Sequence, residues 1–171
     1  MIVKTKYYTK TIHLFDAYLC ISKIKFENTQ DKELKDLYQL QIDDAERLIA
    51  QGEQPIVVIG YIIPEILYQI EGRRSRLKMY DKNGDGVIVQ RMSYENYLTE
   101  KSNIGLSILK HSIKDHSGFF DHDGKEIVFK TDDNRFVDDD VLDIYALQAF
   151  MPYLPDYILY FQSLSPEEKK S

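Results

Sequence analysis

At 171 residues, with 43% hydrophobic and 29% charged residues and a formal charge of −6, the chain has the composition of a folded protein rather than a disordered one. This length suits a single domain over residues 1–171. The only cysteine, Cys20, excludes an internal disulfide, and no apolar run is long enough to predict a membrane span. The opening residues lack the pattern of a signal peptide, so we expect a cytoplasmic protein.

The first part of the chain, residues 1–72, is predicted to be mainly helical. Apolar residues over 11–26 fit a buried helix better than an alternating strand. Residues 28–52 carry one apolar stripe, with Asn28 or Thr29 available as the N-cap of a second helix.

A strand and a third helix follow. The β-branched run PIVVI (55–59) is typical of a buried strand, and Pro64 stands where proline favours the first turn of a helix. A basic cluster comes next, for which we expect a solvated strand edge rather than a phosphate site: Arg73, Arg74, Arg76 and Lys78.

Two stretches resemble each other. MYDKNGDGVIV (79–89) and FFDHDGKEIVF (119–129) align without a gap at an offset of forty residues, with Gly84 over Gly124. Asn-Gly and Asp-Gly supply the positive φ angles of tight turns, and β-branched residues follow. Each stretch therefore predicts a β-hairpin.

These hairpins, at about 76–92 and 118–131, bracket a helix predicted over 94–116 with an interruption near 101–103. Residues 73–131 would thus form a hairpin, a helix and a second hairpin.

The first hairpin also resembles the start of an EF-hand calcium loop. Asp81, Asn83 and Asp85 stand at loop positions 1, 3 and 5, with Gly86 at position 6. Met92 occupies position 12, where the loop requires a bidentate glutamate. We favour a structural turn, because it explains both stretches, and expect no cofactor; weak calcium binding is the alternative.

The second hairpin, GFFDHDGKEIVFK (118–130), resembles one unit of the WG-type β-repeat, which runs as glycine, aromatic, aspartate, turn glycine, lysine and an aliphatic return strand. The chain contains no Trp-Gly pair. The resemblance implies a strand, a turn and a return strand at this place.

Two helices are predicted over residues 138–165. Acids at 138–140 favour the positive end of the first helix dipole, and Pro152 and Pro155 separate the two helices. We expect core packing for the aromatic residues, with self-association into a homo-oligomer as the alternative: Tyr145, Phe150, Tyr153, Tyr157, Tyr160 and Phe161.

The fold class that these elements predict is α+β. We expect a small antiparallel sheet built from the two hairpins and joined by residues 55–59, with several helices packed mainly on one face.

Negative charge is concentrated between residues 115 and 143, a segment that contains ten acids and three bases. The net charge of the rest of the chain is near +1. Such a surface disfavours nucleic acid and suits a basic protein partner, although it also serves solubility. The chain is therefore predicted to be a non-enzymatic interaction protein, such as an immunity, antitoxin or inhibitor protein. The candidate contacts are Asp132, Asp133, Asp138, Asp139 and Asp140.

A metal-dependent hydrolase is the enzymatic alternative. Three histidines lie within twelve residues among several aspartates, and such a cluster can hold a divalent metal. On a helix, however, His116 would be rotated away from His111, and no phosphate-loop or nucleophile motif occurs. The residues of this hypothesis are His111, Asp115, His116, Asp121 and His122.

Overall fold

The computed structural model describes residues 9–148, 150 and 152–164. These residues form helices, two small antiparallel sheets and the loops between them. In chain order the elements are β1 (Lys10–His13), α1 (Leu14–Asn28), α2 (Lys32–Ala50), β2 (Ile56–Ile59), α3 (Pro64–Arg76), β3 (Tyr80–Lys82), β4 (Ile88–Gln90), α4 (Tyr94–Ser112), β5 (Ile113–Ser117), α5 (Asp139–Ala146) and α6 (Leu154–Ser163). This confirms the predicted α+β class.

Among the described residues, the main sheet has three antiparallel strands in the order β1-β2-β5. Strand β2 is central, which confirms the strand predicted from PIVVI. Val57 and Ile59 of β2 are completely buried. Because alternate residues of a strand point to the same face, these two side chains turn that face of the sheet toward the core.

The predicted composition of this sheet was wrong. The hairpin of 76–92 forms a separate two-stranded sheet from β3 and β4. Residues 118–131 contribute only isolated bridges, between Phe120 and Glu126 and from Thr131 to Val137. The partners of β2 are instead β1 and β5, which flank it on either side. These strand partners are set by hydrogen bonds between segments distant in sequence, so local turn residues do not predict the pairing.

Helices α1 and α4, which adjoin β1 and β5, are shorter than predicted because part of each predicted helix is a strand. Helix α1 begins only at Leu14, because residues 10–13 pair with β2, and α4 ends at Ser112, because 113–117 pair with β2 from the other side. Helix α4 also continues without interruption through 101–103. Pairing with β2 overrides the local apolar pattern of both segments.

Local signals at other helix ends are mixed. Pro64 lies in the first turn of α3, as predicted. The N-cap of α2 is Asp31, whose side chain accepts the N–H of Leu34 at 3.1 Å, and not the predicted Asn28 or Thr29. The basic cluster lies on the last turn of α3 and just beyond it, so the predicted strand edge was wrong.

The aromatic residues of the C-terminal region are mostly core residues. Tyr145, Phe150, Tyr153 and Phe161 are each at most 8% exposed and join the main hydrophobic cluster. This confirms the expected core packing and leaves Tyr160, at 40% exposed, as the most accessible of the described members. No described helix has the length and apolarity needed to cross a membrane.

Candidate functional site

In the part of the chain that the structure describes, three turns with the same hydrogen bonds occupy residues 83–87, 121–125 and 132–136. In the second turn, Asp121 Oδ1 accepts the backbone N–H groups of Asp123 and Lys125, both at 2.9 Å. The N–H of Asp121 donates to the carbonyl of Lys125, and the N–H of Gly124 donates to the carbonyl of Asp121.

The other two turns repeat this pattern around Asn83 and Asp132. In each turn the residue before the first position bridges to the residue after the fifth. The arrangement is a type I turn closed by a left-handed residue.

The left-handed residue is the fourth of each turn. Its position shows that the predicted alignment of 79–89 with 119–129 was wrong. It is Gly86 (φ 77°), Gly124 (φ 76°) and Arg135 (φ 64°) in the three turns. Gly86 therefore matches Gly124 at an offset of 38 residues, and the predicted match of Gly84 with Gly124 was wrong. Asn83-Gly84 opens a type I turn instead of forming the tip of a two-residue turn. The third turn escaped prediction because Arg135 replaces the glycine.

The residues of the calcium hypothesis lie in the first turn or just before it. Asn83 Oδ1 accepts the N–H groups of Asp85 and Val87 at 2.9 and 3.0 Å. Asp81 Oδ1 accepts the N–H of Lys82 at 2.9 Å, and Asp85 is exposed at the tip. The side-chain oxygen that the calcium loop needs at position 3 is thus engaged by the backbone.

His116, from the hydrolase hypothesis, is a buried structural residue. Its Nε2 lies 2.7 Å from the carbonyl oxygen of Ile127 and its Nδ1 lies 2.5 Å from the hydroxyl of Tyr145. A carbonyl only accepts, so Nε2 carries a proton and donates to Ile127, and Nδ1 is the ring atom hydrogen-bonded to the Tyr145 hydroxyl. Burial, and secondarily Asp115, raise the pKa of Tyr145 well above its ordinary value, so its hydroxyl remains a donor.

The remaining residues of that hypothesis do not converge. His111 Nδ1 lies 2.7 Å from the carbonyl oxygen of Ser107, whereas His122 is exposed beside Asp123. Asp115 bonds the backbone of His116, and Asp121 closes its turn. In the part of the chain that the structure describes, no group of three His, Cys, Asp or Glu residues is placed to hold a metal ion.

The five candidate contact acids divide into two kinds. Asp132 and Asp138 are half-buried and structural: Asp132 closes the third turn, and Asp138 is the N-cap of α5, accepting the N–H of Asp140 at 3.0 Å. Asp133, Asp139 and Asp140 are exposed. Only the last three have side chains available for a partner.

The ammonium group of Lys110 on α4 contacts this segment. Its Nζ lies 3.3 Å from Asp139 Oδ1 and 4.0 Å from Asp132 Oδ2. Asp139 is 86% exposed, so this ion pair is weak. Within the described ranges, Asp133, Asp140 and Asp143 have no cationic partner within 4.0 Å.

We define the acidic surface as the exposed carboxylates of this segment: Asp115, Asp123, Glu126, Asp133, Asp139, Asp140 and Asp143. Three apolar side chains in this segment or just after it are also exposed, namely Phe120 (57%), Val128 (68%) and Leu147 (86%). Sequence reasoning missed them. The alternation over residues 126–130, with Ile127 and Phe129 turned inward, was the signal that could have placed Val128 outward.

Comparisons with protein-family models, curated proteins and solved structures find no match to this chain. The likeness to the WG-type repeat extends over residues 118–130, and the likeness to the start of an EF-hand loop extends over residues 81–86.

Proposed function

We propose that this protein is a non-enzymatic interaction protein that binds a basic protein partner through the acidic surface. The observation that carries the proposal is the set of exposed carboxylates without a cation: Asp133, Asp140 and Asp143, among the described residues, have no ion pair. Clustered like charges repel one another, and a partner of opposite charge relieves that repulsion. Such a surface also accelerates encounter with a basic partner.

Exposed apolar side chains support the same conclusion. Stable interfaces combine a desolvated apolar centre with a polar rim. Phe120 and Val128 lie on the outward side of the segment that follows β5, with Glu126 between them in sequence. Leu147 follows Asp143 by four residues and is almost fully exposed. These side chains would supply the apolar contacts, and the carboxylates of the acidic surface would supply the charge.

The class of protein we propose is an immunity, antitoxin or inhibitor protein, whose role is to occupy a basic surface of its target. A hydrolase receives less support, because His111 and His116 bond to protein groups and His122 stands apart on the surface. Calcium binding receives less support, because Asn83 already closes its turn.

The experiment is a capture of partners from the source organism with the tagged full-length chain at low salt. The test variant carries Asp133→Asn, Asp140→Asn and Asp143→Asn, which remove charge but keep shape and spare the structural acids. The control variant carries Asp36→Asn, Glu46→Gln and Glu53→Gln, three exposed acids outside the acidic surface.

We expect one stoichiometric basic protein that is released by raising the salt concentration. Loss of three exposed charges should weaken its binding about tenfold, since each rim charge contributes up to about 1 kcal/mol. The control should bind as the unchanged chain does. Equal retention of the partner by both variants would contradict the proposal.

A further inference from the structure

A cleft of about 570 Å³ opens between the end of α3, residues 97–108 of α4 and the start of α6. Sites for small molecules commonly measure about 300–1,000 Å³, are mainly apolar and carry a few placed polar groups. The apolar lining of this cleft consists of Leu77, Leu98, Ile104, Ile108, Pro152 and Pro155.

One face of α4 forms the floor. Tyr97, Lys101, Gly105 and Ile108 follow one another at spacings of four, four and three residues, which places them along a single stripe. Gly105 is buried in the interior of this helix, where glycine costs about 1 kcal/mol relative to alanine. Gly105 lines the cleft in the middle of this stripe.

The charged groups at the cleft are predominantly positive. Arg74 and Lys101 line it, and both are exposed without a carboxylate within 4.0 Å among the described residues. The neighbouring Arg73, by contrast, is paired with Glu100 at 2.9 Å. The acid of the lining, Asp156, is neutralised by Lys25 at 3.2 Å. Two uncompensated cations therefore stand beside an apolar floor.

We propose that this cleft binds a small amphiphilic anion, with its apolar chain along the floor and its carboxylate or phosphate head group at Arg74 and Lys101. Burial of an alkyl chain contributes about 0.8 kcal/mol per methylene, and charge-assisted hydrogen bonds hold the head group. The site is separate from the acidic surface and does not depend on the function proposed for that surface.

Calorimetric titration of the full chain tests this with decanoate, decyl phosphate and decyltrimethylammonium, all below their micelle concentrations. We expect one equivalent of an anionic amphiphile to bind and the cationic one to bind at least tenfold more weakly. Comparison of decanoate with decyl phosphate identifies the preferred head group, and inorganic phosphate alone should bind weakly because the chain supplies most of the affinity. Equal binding of the cationic amphiphile, or no binding of either anion, would overturn the proposal.

Variants locate the site. Arg74→Gln with Lys101→Gln should weaken binding of the anion at least tenfold. Arg76→Gln with Lys78→Gln removes two exposed cations from the same region outside the lining and should leave binding unchanged. Leu98→Ser, at a position 44% exposed, should weaken binding about fivefold without unfolding the chain.

The acidic-surface variant Asp133→Asn, Asp140→Asn, Asp143→Asn should bind the anion normally, which keeps failure of this proposal distinct from failure of the first. Insensitivity to the Arg74 and Lys101 changes would show that the amphiphile binds elsewhere and would overturn the assignment.

Discussion

The hydroxyl of Tyr145 on α5 reaches Nδ1 of His116 on β5 at 2.5 Å, inside the core. The other ring nitrogen of His116 bonds the carbonyl of Ile127. One imidazole thus joins the main sheet, the segment after the second turn and the helix that carries Asp140 and Asp143. The acidic surface is therefore fixed to the sheet through a buried polar contact.

Replacement of Tyr145 by phenylalanine should reveal this contact. Tyr145→Phe leaves Nδ1 of the buried His116 without a partner, so we expect the free energy of unfolding to fall by about 1–3 kcal/mol. Urea denaturation measures the change. Tyr160→Phe, at a position 40% exposed, should change it by less than about 0.5 kcal/mol. Similar midpoints for the two variants would contradict the structural role of the contact.

Alkaline pH should destabilise the fold through buried tyrosines. Burial raises the pKa of Tyr145 and of Tyr153 well above the ordinary value of 10.0. The folded chain then keeps protons that the unfolded chain releases, so the contribution to stability is intact below about pH 10 and is lost as the pH rises further. Each group contributes a slope of up to about 1.4 kcal/mol per pH unit.

Unfolding by urea at a series of pH values from 8 to 11 measures this slope. Tyr153→Phe removes one of the two groups and should flatten the decline above about pH 10. Tyr68→Phe, at a position 81% exposed, should leave the decline as it was. An unaltered slope in Tyr153→Phe would show that Tyr153 does not carry the effect.

The two glycines of the first turn should respond oppositely to alanine. Gly86 has φ 77° and open space where a methyl group would stand, so Gly86→Ala carries only backbone strain, about 1–2 kcal/mol. Gly84 has no positive φ and equally open space, so Gly84→Ala should be neutral or stabilise the chain by up to about 1 kcal/mol. Thermal unfolding distinguishes them. A larger loss in Gly84→Ala would restore the alignment at an offset of forty residues.

The third turn offers a stabilising substitution. Arg135 is exposed and adopts φ 64°, a left-handed conformation that glycine adopts without strain. Arg135→Gly should therefore raise the free energy of unfolding by about 0.5–1 kcal/mol, after allowance for the greater freedom of glycine in the unfolded chain. Arg135→Ala removes the same side chain but keeps the strain, and no gain is expected. Equal effects of the two substitutions in urea denaturation would contradict this explanation.

Elements with strong local signals were predictable from the sequence. Helix α2 has a continuous apolar stripe, β2 is a run of β-branched residues, and α3 has proline in its first turn. Each of these signals acts within a few residues of the chain, so no distant partner is needed to read it.

Elements defined by distant partners were not predictable. Strands β1 and β5 exist through pairing with β2, which lies more than forty residues from either one. The start of α1 shows the same dependence, because the Gln54 side-chain oxygen accepts the N–H of Phe15 at 2.7 Å and caps the helix from 39 residues away. His13, at the N-cap position, makes no side-chain cap.

The acidic surface and the cleft also differ in how far the sequence could predict them. Charge alone pointed to the acidic segment, but the turn and the helix cap are needed to separate Asp132 and Asp138 from the exposed Asp133. The cleft depends on the approach of α3, α4 and α6, so Arg74 and Lys101 gave no joint signal in the sequence.

Each of the three turns fixes its first and fourth residues and leaves the two residues between them exposed: 84–85, 122–123 and 133–134. The side chains of these residue pairs take no part in the hydrogen-bond pattern that the three turns share. They are therefore natural attachment points for fluorophores or spin labels. Because the first turn lies in a separate small sheet and the other two contain Asp123 and Asp133 of the acidic surface, labels at residues 122 and 134, which leave those carboxylates in place, would report partner binding against a reference label on the first turn.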